Sequence, residues 1–166
     1  TSLVRAIAPR TANELAFRAA PGIRSAGEVA AHIALGRIDW FHRMGAPGAA
    51  ALADRVGSLE ACEEAPLERR PSLTLNAAEL VRWLDASWTM VDGVLNAWTV
   101  DDLSATFPQP YRGKTYAVSR QWVLWRIMTH DVQHGGQLTV QLWQQGIEIP
   151  DLGDLGGHLT EPPEAT

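Results

Sequence analysis

The chain has 166 residues, 46% hydrophobic and 20% charged, a balance that fits one folded domain over residues 1–166 and not a disordered segment. Its 14 basic and 19 acidic residues leave a net charge of −5, and Lys114 is the only lysine, so no basic face is offered to nucleic acid. No apolar run approaches the roughly 20 residues that span a bilayer, so no membrane partner is expected either.

The chain opens at Thr1 without Met and without a basic-then-apolar leader. The expectation is a cytoplasmic protein with a trimmed N-terminus. Cys62 is the single cysteine, which excludes an internal disulfide and any Cys-x-x-Cys motif. It stands among Glu60, Glu63 and Glu64, whose charge disfavours a thiolate, and reads as an inert thiol.

In chain order, residues 2–8 carry a helical pattern that Pro9 stops. Residues 10–24 read as loop with a short turn from Ala12 to Arg18, and Pro21-Gly22 punctuates its end. Ser25 and Glu28 then form a capping box that opens a helix over residues 25–44, ended by Gly45 and Pro47. Its inward stripe is Val29, His32, Ile33, Gly36 and Trp40. Residues 45–75 carry three prolines and read as a long connection with a short helix from Ala49 to Val56.

Asn76 caps the next helix, over residues 77–98. Its stripe of Leu80, Trp83, Leu84, Ser87, Val91, Val94, Leu95 and Trp98 keeps bundle spacing throughout. Two prolines and Arg112-Gly113-Lys114 then break the pattern, with a two-strand ribbon expected between Ala105–Phe107 and Thr115–Ala117. Ser119 caps a last helix over residues 119–145, closed by Gly146. The tail over 147–166 reads as extended. Three long helices and a stub predict an all-α helical bundle, in which the first helix is truncated or a neighbouring chain completes that side.

The chemistry sits in three histidines. His130 and His134 are one turn apart on one helix face, where the stripe Val123, Ile127, His130, His134, Gln137, Gln141 turns from apolar to polar. His32 points inward from another helix. Clustered buried imidazoles are costly unless something binds them, and Gly135-Gly136 within a helix suggest a close approach to the backbone. Two helices supplying one and two imidazoles would make an open metal site. A His-x-x-x-His pair also arises by chance on core helices, so spacing alone leaves both readings open. His42 and His158 share neither the spacing nor the face.

These residues carry a resemblance. GEVAAHI, followed by HDVQHGGQLTVQLWQQGIEIP, resembles the DinB family of metal-binding four-helix bundles, from Pro21 onward. The match is specific at the Ser-x-Gly-Glu helix start, the three histidines and Gly136-Gln137. It departs at Gly135, where many members have a basic residue, and at the short first helix. The resemblance implies a four-helix bundle of DinB type with long connections, and a divalent ion held by His32, His130 and His134. Zinc, nickel and iron all suit such ligands. Asp39, two turns after His32, and Gln137 are candidates to support that centre, with Gln141 beside them.

Relatives imply a metal-dependent enzyme that activates a low-molecular-weight thiol for transfer to a small-molecule electrophile, as in bacillithiol transferases and mycothiol-dependent maleylpyruvate isomerases. The alternatives are a metal-assisted hydrolase, with Asp131 in the base position of a His-Glu-x-x-His-like motif, and a non-catalytic metal-binding bundle. Seven tryptophans and the short first helix raise the expectation of a homodimer.

Overall fold

Local signals in the sequence set most of the helix starts. In the computed structural model, which describes residues 2–64 and 76–149, two short helices come first, α1 (Ser2–Ile7) and α2 (Ala12–Ala16). Pro9 separates them, and the Thr11 hydroxyl and Glu14 carboxylate cap α2 reciprocally. The same device opens α3 (Ala26–Arg43): Ser25 Oγ accepts from the Glu28 amide at 3.2 Å, and Glu28 accepts from the Ser25 amide at 2.7 Å. Glu28 is buried, and Arg18 grips its two oxygens at 2.6 Å each, which compensates its charge.

The fourth long helix lies where the sequence reads as connection. α4 (Ala49–Glu64) has 16 residues and runs well past Val56. Pro47 and Gly48, the latter at φ 79°, turn the chain into it. Its inward line of Ala49, Leu52, Ala53 and Val56 is made of small or scattered apolar residues and precedes Gly57, so periodicity ends too early. α5 (Ala77–Ala97) starts at Asn76, whose Oδ1 accepts from the Glu79 amide at 2.9 Å. It buries Leu80, Leu84, Ser87, Met90, Val91 and Val94. Leu95, expected inside, is 45% exposed, because the inward line runs through Val91 and Val94 and leaves it on the flank.

After α6 (Val100–Leu103) comes an antiparallel ribbon of β1 (Thr106–Tyr111) and β2 (Lys114–Ser119). It is longer than expected and differs in register, pairing Phe107 with Val118 and Tyr111 with Lys114. Arg112 and Gly113, both at positive φ, make the two-residue turn that fixes this register. Pro108 and Pro110 are two residues apart, so both face the unpaired edge and cost no ladder bond. α7 (Arg120–Trp143) follows, capped by Ser119 and closed at Gly146 with φ 73°.

α3 lies at the centre, packed against α4, α5 and α7, while α1 lies on α5. Its many alanines and glycines let those helices approach closely, and it is buried nearly all round. The result is the expected all-α bundle, with its fourth long helix supplied by α4. Two large apolar clusters, with a smaller third of Leu35, Ile38 and Val56, fill it. One joins Leu3, Ile7, Ile33, Leu80, Leu84 and Leu142; the other joins Phe41, Met90, Val94, Val123 and Ile127. Ile147 and Ile149 pack on the first, so the start of the tail is anchored. The side chain of Cys62, His158 and the tail beyond residue 149 fall outside the described residues. No helix among the described residues is long and apolar enough to cross a membrane.

Candidate metal centre

At the level between the two apolar clusters, α3 and α7 face each other with polar side chains. His32 from α3 and His130 and His134 from α7 meet there, with ring centroids 4.4–4.8 Å apart. One ligand atom from each lies within 4.8 Å of the others. His130 Nε2 and His32 Nε2 are 3.1 Å apart. Imidazoles about 2.0–2.1 Å from a common tetrahedral ion would place their nitrogens about 3.3 Å from one another. The donor set fits a divalent ion, with the His32–His130 pair close to that spacing, and these three histidines could hold one.

The far nitrogens of His130 and His134 have partners. His134 Nδ1 donates to Gln137 Oε1 at 2.7 Å, which leaves its Nε2 as the lone-pair donor. Burial holds His134 below the ordinary histidine pKa, opposed by the Gln137 hydrogen bond and reinforced by His130, His32 and the Arg24 charge. The neutral form is the one that ligates a metal. Behind His130, Asp131 Oδ1 stands 3.5 Å from Nδ1, and its Oδ2 accepts from Arg37 Nε at 2.7 Å. Arg37, 3% exposed, also reaches Ser87 Oγ at 3.4 Å. Ser87, Arg37, Asp131 and His130 thus form one polar chain across three helices.

Gly36 is where the backbones must come close: a Cβ there would lie 2.8 Å from His130 Cε1. Of the two α7 glycines at which a close approach was expected, Gly136 shows none, since a Cβ there would meet nothing within 4 Å.

In front of the near nitrogens opens a cavity of about 590 Å³, whose walls include His32, Gly36, Asp39, Arg43, Arg126 and His134. Asp39 lines it, and both its oxygens accept from Arg43 Nε at 2.9 Å. His42 lines it too, from an exposed position at the end of α3. Gln141 points away from this cavity's walls and donates to the Arg24 carbonyl at 2.9 Å. Asp131 is not among the walls, since its carboxylate is turned back to Arg37. Sequence reasoning put Gly36 on the inward stripe but not against His130, and it missed Arg37 and the anchoring role of Asp131. An arginine among Leu35 and Ile38 on an inward helix was the available signal for the ion pair.

A model of the DinB superfamily matches residues 1–138, which include all three histidines and Gln137. The match begins upstream of Pro21, so the two short front helices belong to it as well. Among solved structures, the chain is similar to a DinB-like protein from Bacillus cereus, with TM-score 0.62 and 22% identity over 90% of this chain and 87% of that one. At that identity the likeness speaks for the fold. No curated protein matches the chain. With the family model spanning most of its length, the chain belongs to the DinB superfamily.

Proposed function

We propose that the protein holds a divalent metal ion on His32, His130 and His134 and uses it to activate a low-molecular-weight thiol for transfer to a small electrophile. The observation that carries this reading is the two-sided build of the histidine cluster, anchored behind by Gln137 and Asp131 and open in front to a cavity. Three neutral imidazoles leave coordination positions for an exogenous group, as catalytic sites do and closed structural sites do not. When bound, the ion would supply a Lewis acid that holds a thiol as thiolate near neutral pH.

The chain's own residues orient and enclose. Gln137 and Asp131 fix two imidazoles, and the cavity walls hold the reactants side by side. In the transfer the thiol proton passes to solvent, the sulfur forms a bond to the electrophilic carbon, and the leaving group departs with the bonding pair. The hydrolase alternative needs Asp131 as a base facing the cavity, and its pairing with Arg37 behind His130 argues against that role.

The reading extends to a homodimer. Trp125, Met128, Val132, Val140 and Trp143 are exposed along α7, and a second copy presenting the same stripe would cover them. Sedimentation of the full chain at micromolar concentration tests it, with a dimer expected and a monomer overturning it.

The activity is tested with gently purified protein, its metal content measured, incubated with a thiol and a chromogenic electrophile. Thiol conjugation is expected, with at least a hundredfold loss in His130→Ala. An unchanged rate in that variant overturns the mechanism. Ester or amide turnover without thiol would instead support the hydrolase.

A further inference from the structure

The cavity in front of the histidines holds one charge that the fold leaves unused. Arg126 lies on α7 one helical turn before His130, on the same face and about 6 Å from it along the helix. It is half-buried and lines the cavity together with His32, His130 and His134. Every other arginine among the described residues has a side-chain, backbone or aromatic partner. Arg126 has none among them.

The neighbouring charges do not serve it. Arg43 and Asp39 satisfy each other at 2.9 Å on the α3 wall, and Asp131 is turned back to Arg37. Asp54 lines the cavity from an exposed position on α4, where water screens it. A half-buried guanidinium has lost part of its water, which strengthens its pull on an incoming anion. Beside three ligands of a divalent ion, an unpaired cation is also at odds with that ion, since like charges repel across the cavity. A negatively charged group entering between them removes the conflict. Ion and guanidinium then make a two-point positive site that selects an anion over a neutral molecule of the same shape. Arginine suits this task, because its forked donors match two oxygens of one acid group and its charge does not titrate.

We infer that Arg126 is the specificity residue of the metal centre, receiving an oxyanion, carboxylate or phosphonate, on a molecule whose other end meets the ion. The inference rests on the metal reading above and holds whether the reaction is transfer or hydrolysis. Arg126 grips the charged end of the ligand and leaves the reacting atoms to the centre itself.

The test uses zinc-loaded full chain, titrated calorimetrically with three short hydroxamates of one chain length that end in a methyl group, a carboxylate or a phosphonate. The hydroxamate binds the ion in all three, so only the far end differs. At least one acid is expected to bind tenfold or more tighter than the methyl probe, and the acid that gains more identifies the oxyanion. Arg126→Gln is expected to remove that advantage while the affinity of the methyl probe and the thermal midpoint stay unchanged. Arg126→Lys is expected to keep part of it, as a retained positive charge should. Equal affinity of the three probes in the unaltered protein overturns the inference, and so does an advantage that survives in Arg126→Gln. Absence of zinc in a dye competition, with no binding of the methyl probe, would bring down the metal reading and this inference together. That outcome is distinct from tight methyl-probe binding without discrimination, which overturns the role of Arg126 alone.

Discussion

The two sides of the histidine cluster use the same chemistry to different ends. Behind the imidazoles, Arg37 and Asp131 pair at 2.7 Å with side chains only 4% and 18% exposed, joining α3 to α7 across 94 positions of sequence. In front, Arg43 and Asp39 pair at 2.9 Å on one face of α3, with side chains 42% and 36% exposed. The buried pair must be complete to be tolerated, so it fixes two helices and the ring that leans on Asp131. The exposed pair is screened by water and can part at little cost. A centre that must present its near nitrogens at fixed spacing and still admit a ligand needs a rigid back and a yielding front.

Removing Asp131 should break this contrast most severely. Asp131→Ala leaves Arg37 as a buried uncompensated charge and is expected to cost about 3 kcal/mol in urea denaturation, the low end for buried pairs because the carboxylate keeps some solvent. The double variant Arg37→Met/Asp131→Leu should recover most of that loss. A cost below about 1 kcal/mol for Asp131→Ala would mean that the back of the centre is no more rigid than the front. Next comes Gly36→Ala. Its methyl would meet His130 Cε1 at 2.8 Å, which forces the ring aside. Metal affinity measured against a chelating dye should fall by about ten- to a hundredfold, although alanine favours the helix.

The parts of this arrangement differ in how plainly the sequence announces them. His130 and His134 are one turn apart, and the caps at Ser25, Asn76 and Ser119 are local, so short-range rules reach them. The meeting of His32 with His130 spans 98 positions and is legible through the family resemblance, not through spacing. Arg37 stands out only as an arginine on an inward helix and Asp131 only as a candidate base, and their pairing exists only once α3 and α7 are packed. α4 reads short in the sequence because its inward face is built of alanines and its packing partner is α3, a tertiary reason for a helix. The turn at Arg112-Gly113 sets a ribbon register that strand propensity alone places three positions away.

Gln137→Leu probes the back of the centre without disturbing its core. Gln137 is itself exposed, so folding stability should hold, while loss of the acceptor on His134 Nδ1 is expected to lower metal affinity about tenfold. A smaller effect is expected from pH in the metal-free protein. Burial lowers the His134 pKa from the ordinary 6.5, so below that value the unfolded chain binds a proton that the native chain refuses. Stability should be fully present above about 6.5 and be lost as pH falls from there through the depressed native value. Urea midpoints across that range measure it, and His134→Asn should flatten the slope. A slope unchanged in that variant would assign it to another group.

The front should yield least. Arg43→Ala removes the partner of Asp39 from a pair that is more than a third exposed on both sides, and the expected loss of stability is about 0.3–0.5 kcal/mol. That loss should shrink further in high salt, because the exposed charges are already screened. Metal affinity should stay within about twofold, since Arg43 lines the cavity and its guanidinium is held by Asp39. Thermal denaturation at low and high ionic strength, with the dye competition repeated on the same variant, reads both quantities. A loss near that of Asp131→Ala would show the front to be as rigid as the back, and the cavity would then be a fixed mould instead of an adaptable one.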